Sequence, residues 1–407
     1  MKPMRIAYLC ADRGIPIVGP TGSSTHVLEF VRALTERGHE VVVFAADPGQ
    51  SSADLPCRVI PIAADPVLNE VRLALGKQYR QAPGEPTPRA SEVFSLLVNQ
   101  SARLELERAG DFDLIYERLS LWSVAGLQAA REWRIPLFVE VNAPLSKQQQ
   151  TYRDLELADV AEAVERIVLT EADRILVTSD ALIDYVHERG ASRRDARVLP
   201  CGVSRSMFAD LEKRKAVDPE HFVLGFLGSL KPWHGIDLLV DAFSALRERS
   251  PAYRLLVVGD GPLRAYIELV CRRRGLAEFV ELAGAVSHEQ VPDYLARMDA
   301  GLAPYPPLET FYFSPLKIWE YAAAGVPIVA SRSGEIPEFF EHKKAALLHA
   351  PGSVTKIVRH VERLRTEPGL GARLARRARR VAKERTWDRL AARFEDIAAK
   401  TLAGETD

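Results

Sequence analysis

A chain of 407 residues with 47% hydrophobic side chains exceeds one ordinary core and calls for about two domains of roughly 200 residues each. A formal net charge of -1 excludes a surface built wholly for nucleic acid, which is usually strongly basic. Cys10, Cys57, Cys201 and Cys271 form no CxxC pair, which argues against a zinc knuckle or a disulfide scaffold and makes a reducing cytoplasm the simplest home.

Arg5 to Cys10 reads as a buried strand, and the apolar run Ile6–Ala11 is too short for a signal peptide's core. Apolar residues at Val27, Phe30, Val31 and Leu34 predict a helix over Ser24–Arg37, and Val41–Ala45 follows as a second strand, completing a βαβ unit. The loop between them lacks the Gly-x-Gly-x-x-Gly that a dinucleotide site places directly after the first strand. His26 stands just inside the helix, where a lone histidine is ordinarily packed or solvated.

Val59–Ile62 reads as a weaker third strand. Arg72–Arg89, with three prolines, two glycines and an excess of basic residues, reads as a loop that either shapes a binding surface or has no role. Leu114–Glu117 and Leu137–Val141 are the fourth and fifth strands, ending in Glu117-Arg118 and Glu140-Val141-Asn142. Polar side chains at the carboxyl ends of buried parallel strands face the crevice where such sheets bind ligands, although a structural Glu117–Arg118 pair is the alternative. One long amphipathic helix is expected over Thr151–Glu171, then strands at Arg174–Thr178 and Ala196–Leu199.

The charged run Asp210–Glu220 separates the halves, and a second sheet begins at Phe222–Leu227. Gly228-Ser-Leu-Lys-Pro-Trp-His-Gly235 opens a helix at Ile236, and strands follow at Tyr253–Val258, Val280–Leu282 and Ala300–Ala303. Ser314 is a good N-cap and Pro315 a good first helical residue, so the backbone N–H groups of Leu316 and Lys317 form an anion site to which Lys317 adds a full charge. Glu320, one turn on, suits hydrogen bonding to a diol, Gly325 ends the helix, and Pro327–Ala330 is a buried strand. Gly371–Arg385 is an Arg-rich helix with Leu374, Ala378 and Val381 on one side, for which a solvated face is favoured over contact with anionic lipid. Thr386-Trp387 starts the last helix.

Ser314–Ser331 resembles the C-terminal nucleotide-sugar motif of the GT4 glycosyltransferases, in a variant where Ser-Pro-Leu-Lys precedes the helix and Glu-Tyr-x-x-x-Gly-x-Pro follows. Pro200–Phe208 resembles the linker of that family, with Ser204 where Asp is usual. The resemblance covers most of the chain and implies an α/β fold of the GT-B type, two Rossmann-like domains facing a central cleft. Residues 1–203 would form the acceptor side, 204–387 the donor side, and a C-terminal helix over 388–407 would cross back onto the first domain.

The resemblance further implies transfer of a sugar from a nucleotide diphosphate sugar to an unidentified acceptor, with retention of configuration and with neither cofactor nor metal. The absence of a His/Cys ligand cluster is consistent with that. Ser229 and His234 stand where the commoner pattern has Arg and Lys, so Lys231 and Lys317 are the substitute cations for the departing diphosphate. His234 would be pH-sensitive near neutrality in contact with phosphate. Asn142 stands near the usual place of a histidine and is expected to hydrogen-bond the sugar or diphosphate. With Lys317 and Lys231 it completes the expected catalytic set. Gly22 and Ser23 match the small-residue loop at the diphosphate, and Val286 the backbone that holds the base edge. Ser314, Pro315, Leu316 and Glu320 complete the donor set. The family's first glutamate falls at Tyr312, leaving Glu309 as the nearby substitute. The implied partners are a nucleotide sugar and the acceptor, without nucleic acid, and peripheral contact with the inner membrane face stays open. A sugar phosphorylase, an epimerase, and a sugar-nucleotide binder without activity are the rival readings.

Overall fold

The computed structural model describes residues 2–49, 55–62, 70–71, 74, 88–192, 195–208 and 220–405. Most of the expected loop at 72–89 and of the charged run at 210–220 lies outside the described residues. The chain divides into two compact units, Met1–Gly19 with His26–Pro200 and Leu390–Asp407 in one, Pro20–Thr25 with Cys201–Arg389 in the other.

The first unit is built on seven strands, β1 (Arg5–Cys10), β2 (Glu40–Ala45), β3 (Arg58–Pro61), β4 (Leu114–Arg118), β5 (Leu137–Val141), β6 (Arg174–Val177) and β7 (Ala196–Val198). They form one parallel sheet in the order β3-β2-β1-β4-β5-β6-β7. The second unit has β8 (Phe222–Leu227), β9 (Tyr253–Val258), β10 (Val280–Gly284), β11 (Ala300–Ala303), β12 (Ile328–Ser331) and β13 (Leu347–His349), parallel in the order β10-β9-β8-β11-β12-β13. Both units are Rossmann-like.

Continuous apolar strands form here because each sheet is covered on both faces. In the second unit alternate residues enter two different cores. Leu224, Phe226, Leu255, Val257, Val329 and Leu347 pack with Leu239, Phe243 and Val361. Leu227, Leu256, Val258, Ile328, Ala330 and Leu348 pack instead with Trp319, Tyr321 and Phe340. The strand period of two alone makes this division. Helix Leu370–Ala382 buries Leu370, Leu374, Ala375, Ala378 and Ala382 and leaves Arg373, Arg376, Arg377 and Arg380 exposed, so Val381 is peripheral to that apolar side.

Three local expectations need correction. The single helix over Thr151–Glu171 is two, Leu145–Tyr152 and Ala158–Glu171, because Arg153 is extended. The carboxylate of Glu92 accepts the backbone N–H groups of Glu156 and Leu157 at 3.1 and 2.8 Å and caps the second piece from a remote helix. That helix, Pro88–Ala109, begins within the expected loop and buries Phe94, Val98, Ala102 and Leu106 at four-residue spacing. Glu117 and Arg118 do not pair, since neighbours on a strand point to opposite faces.

Helix Trp387–Leu402 sends Phe394 into the first unit, where its ring meets those of Phe30, Tyr116 and Phe138 at centroid distances of 5.7, 5.6 and 5.6 Å. Phe394→Ala is expected to cost that unit about 3–5 kcal/mol, read as a lower urea midpoint by circular dichroism. An unchanged midpoint would show that the helix adds nothing to this core. Among the described residues no helix is long and apolar enough to cross a membrane.

Candidate functional site

Each sheet reverses its strand order once, between β1 and β4 in the first unit and between β8 and β11 in the second. Ligands of open α/β sheets bind beyond the carboxyl ends of the strands at such a point. In the second unit those ends lead into Gly228 and into Pro304-Tyr305, and helix Leu316–Ala324 is fastened across them. The backbone N–H of Leu227 donates to the Tyr321 hydroxyl at 2.8 Å, and that hydroxyl donates to the carbonyl of Leu302 at 3.3 Å. Gly301 makes room, since a Cβ there would stand 2.6 Å from the Tyr321 ring.

Lys317 lies one turn before Tyr321, on the same side of the helix. Its Nζ stands 4.0 Å from the centroid of the Phe226 ring and 5.6 Å from that of Tyr305. The residue is 6% exposed, and among the described residues Nζ has no hydrogen-bond partner. Burial lowers its pKa to about 7, with Glu320 acting in the opposite sense. Gly228, at φ +129°, leaves space beside it, for a Cβ would come within 3.1 Å of Nζ.

The helix start differs from the expected form. Pro315, not Ser314, occupies the cap position, in an extended conformation at φ -78°, ψ 100°, without a side-chain cap hydrogen bond among the described residues. Within the helix, the N–H groups of Leu316 and Lys317 have no carbonyl one turn back to bind. Gly325 ends the helix in the left-handed conformation, as expected.

His234 and Lys231 lie beside this start. His234 Nδ1 is 2.6 Å from the carbonyl oxygen of Ser229. A carbonyl only accepts, so Nδ1 carries the proton and Nε2 of the neutral ring is bare. Burial and then the charge of Lys317 push the His234 pKa well below its ordinary value, so with protein groups alone as neighbours it does not titrate near neutrality. Lys231 Nζ is 5.2 Å from the Trp233 ring centroid. Glu320 is buried on the same helix, Val286 half-buried just after β10, and Glu309 exposed outside regular structure. Gly22 begins a helix in the first turn of which Thr21 Oγ1 accepts the N–H of Ser24, and Ser23 is half-buried. Pro20–Thr25 count with the second unit, and a Cβ on Gly22 would lie 3.5 Å from Leu316 Cδ1.

In the first unit the polar strand ends are spent on the protein itself. His26 is buried, with Nε2 2.5 Å from Glu140 Oε1, and Arg118 reaches Glu140 Oε2 at 3.2 Å. Burial works to raise the Glu140 pKa, but His26 and Arg118 outweigh it and hold it down to about 2. Glu117, on the opposite face, is pushed up to about 7 by burial against the hydrogen bonds from Ser123 and the Gly126 backbone. Asn142 is half-buried, and among the described residues its Nδ2 has no partner at hydrogen-bonding geometry. Asp111-Phe112-Asp113 has the acidic spacing of many cation sites, yet Asp113 accepts the N–H of Arg5 at 2.6 Å, at the amino ends of β1 and β4.

The second unit therefore gathers Lys317, Leu316, Pro315, Ser229, Lys231, His234 and Glu320 at one strand-order reversal. Phe226, Tyr305 and Gly228 join them unforeseen, because a strand's penultimate aromatic carries no mark of a cation above it.

Residues 20–206 match the family model described as Glycosyltransferase Family 4, and residues 221–367 match that described as Glycosyl transferases group 1. The chain is 25% identical to the MMP alpha-(1->4)-mannosyltransferase of Mycolicibacterium hassiacum, over 94% of this chain and 95% of that one. It is 28% identical to the D-inositol 3-phosphate glycosyltransferase of Actinosynnema mirum, over 90% and 89%. Among solved structures it superposes on the sucrose-phosphate synthase of Thermosynechococcus elongatus with a TM-score of 0.76 at 21% identity, covering 99% of this chain and 100% of that one. Anabaena HepE in complex with UDP gives 0.69 at 19% identity, covering 98% and 100%.

Proposed function

This chain is a GT4-like glycosyltransferase of the GT-B fold, and from that premise we propose that it moves a sugar from a nucleoside diphosphate sugar to an acceptor hydroxyl with retention of configuration and without a metal. The observation that carries the donor assignment is the Lys317 ammonium, buried without a hydrogen-bond partner among the described residues at the first turn of helix Leu316–Ala324. A buried cation of that kind is costly unless an anion reaches it.

The diphosphate lies at the start of helix Leu316–Ala324, on the N–H groups of Leu316 and Lys317 and on Lys317 Nζ, with Lys231 at its edge. The bond from the anomeric carbon to the diphosphate oxygen breaks, and its electron pair goes to that oxygen. The acceptor hydroxyl forms the new bond on the same face of the sugar and gives its proton to the departing phosphate. Fixed cations and aligned N–H groups stabilise the growing charge where other enzymes use a metal. Glu320 takes the ribose hydroxyls and the backbone at Val286 the base edge.

HepE is solved with UDP and with UDP-glucose, which makes UDP the first nucleotide to test. Thermal-shift titration with UDP, GDP, ADP and TDP, with and without EDTA, is expected to show one nucleotide raising the melting temperature equally in both conditions. If none does so in folded protein, the donor site is not here; if the shift needs a divalent ion, the metal-free reading fails.

A further inference from the structure

Ser314-Pro315 is the sequence of a capped helix start, a serine before a proline at the first helical position. The structure withholds that cap. The hydroxyl of Ser314 accepts the N–H of Cys201 at 3.1 Å and a hydrogen from Arg385 Nη2 at 3.2 Å, and it donates to Glu335 Oε1 at 2.9 Å. Arg385 Nη2 also meets Glu335 Oε2 at 2.7 Å, Arg385 Nε donates to the carbonyl of Cys201 at 3.1 Å, and the guanidinium lies 4.1 Å from the Trp319 ring centroid. Arg385 is 5% exposed. Among the described residues the hydrogen bonds of this hydroxyl go to these three partners, and Pro315 is held extended, which moves the helix start one residue on.

We propose that Arg385 and Glu335 are positioning residues that hold Ser314 away from its own helix and so keep the N–H groups of Leu316 and Lys317 open for a diphosphate. Without them Pro315 turns into the first helical residue and Ser314 becomes the cap. Its hydroxyl oxygen then accepts the N–H of Leu316 or Lys317, and the ligand must displace it. The inference rests on the donor site proposed above. It adds a competitor built into the chain and a restraint that disables it.

The test compares wild type, Lys317→Ala, the double variant Glu335→Gln/Arg385→Gln, which leaves no lone buried charge, and that double variant with Ser314→Ala added. The probes are UDP and inorganic pyrophosphate, read by calorimetry, together with amide exchange at Leu316 and Lys317. A cap of ordinary strength makes binding about fivefold weaker in the double variant. Exchange at the two amides slows in that variant, and Ser314→Ala restores both affinity and exchange. A purely structural role for Arg385 predicts a lower melting temperature and no recovery on adding Ser314→Ala, and that result overturns the proposal. Unchanged affinity in the double variant overturns it as well. Where the double variant does not fold, Glu335→Gln with and without Ser314→Ala gives the same comparison. Failure of the donor site itself looks different, with no binding to wild type, or with Lys317→Ala binding both probes as wild type does.

Discussion

Replacing Lys317 by methionine is expected to lower turnover by about 100- to 1000-fold while raising the melting temperature. The first effect follows from the proposed place of this cation at the leaving group, where its loss is comparable to deleting one donor of an oxyanion hole. The second follows from the same burial. The folded-state pKa of Lys317 is lowered from 10.5 to about 7. For a group with a depressed pKa, the stability it contributes is complete above the unfolded value and is lost as pH falls through the folded one. At neutral pH and below, the wild-type protein therefore carries a buried charge that methionine, of similar length and apolar, does not. The Phe226 and Tyr305 rings that now face Nζ accept a thioether readily. Steady-state kinetics and calorimetric melting at pH 6 and pH 9 check both halves, with the larger gain in melting temperature at pH 6. Turnover near normal in the folded variant would remove Lys317 from the chemistry. Lost turnover with a lower melting temperature would mean that Lys317 is a structural residue.

Nucleotide binding is expected to take up about one proton at pH 8. Lys317 on its own is largely neutral there, and the diphosphate favours its charged form. The apparent Kd is therefore flat below about pH 7 and rises about tenfold per pH unit above it, as the competent, protonated form becomes rarer. Calorimetry of UDP binding in two buffers of different ionisation heat measures the uptake directly. Lys317→Met should abolish it along with the slope. Affinity constant from pH 6 to pH 9 would show that the ammonium does not contact the phosphates. His234 enters with the opposite expectation. Its ring is neutral well below neutrality and its Nδ1 proton is committed to the Ser229 carbonyl, so it adds no inflection near pH 6.5.

The buried polar cluster of the first unit sets a contrast. His26, Arg118 and Glu140 satisfy one another, and with a partner on each the cluster reads as a strut between β4, β5 and the first helix. Lys317 is similarly buried and has no such partner among the described residues, and on that difference rests the proposal of the donor site at the second unit's strand-order reversal.

Much of this was legible along the chain because its causes are local. Continuous apolar runs such as Leu137–Val141, Phe222–Leu227 and Tyr253–Val258 determined buried parallel strands, since only a sheet covered on both faces buries every residue of such a run. The alternation of strands with helices determined the two Rossmann-like halves, and Gly325 determined where helix Leu316–Ala324 stops. Lys317 and the helix start were marked by residue type and spacing. Only the tertiary structure decided which groups meet. Ser314 has the identity of a cap and does not serve as one, because Cys201, Glu335 and Arg385, remote in sequence, take its hydroxyl. Glu92, 64 residues from Glu156, binds the N–H groups of Glu156 and Leu157 where the expected helix at Thr151–Glu171 is interrupted. Burial of Lys317 between Phe226 and Tyr305, with the fall in its pKa, depends on three elements converging beyond the ends of β8 and β11. Propensity and spacing act over a few residues, whereas the partner of a polar group and its distance from water are properties of the packed fold.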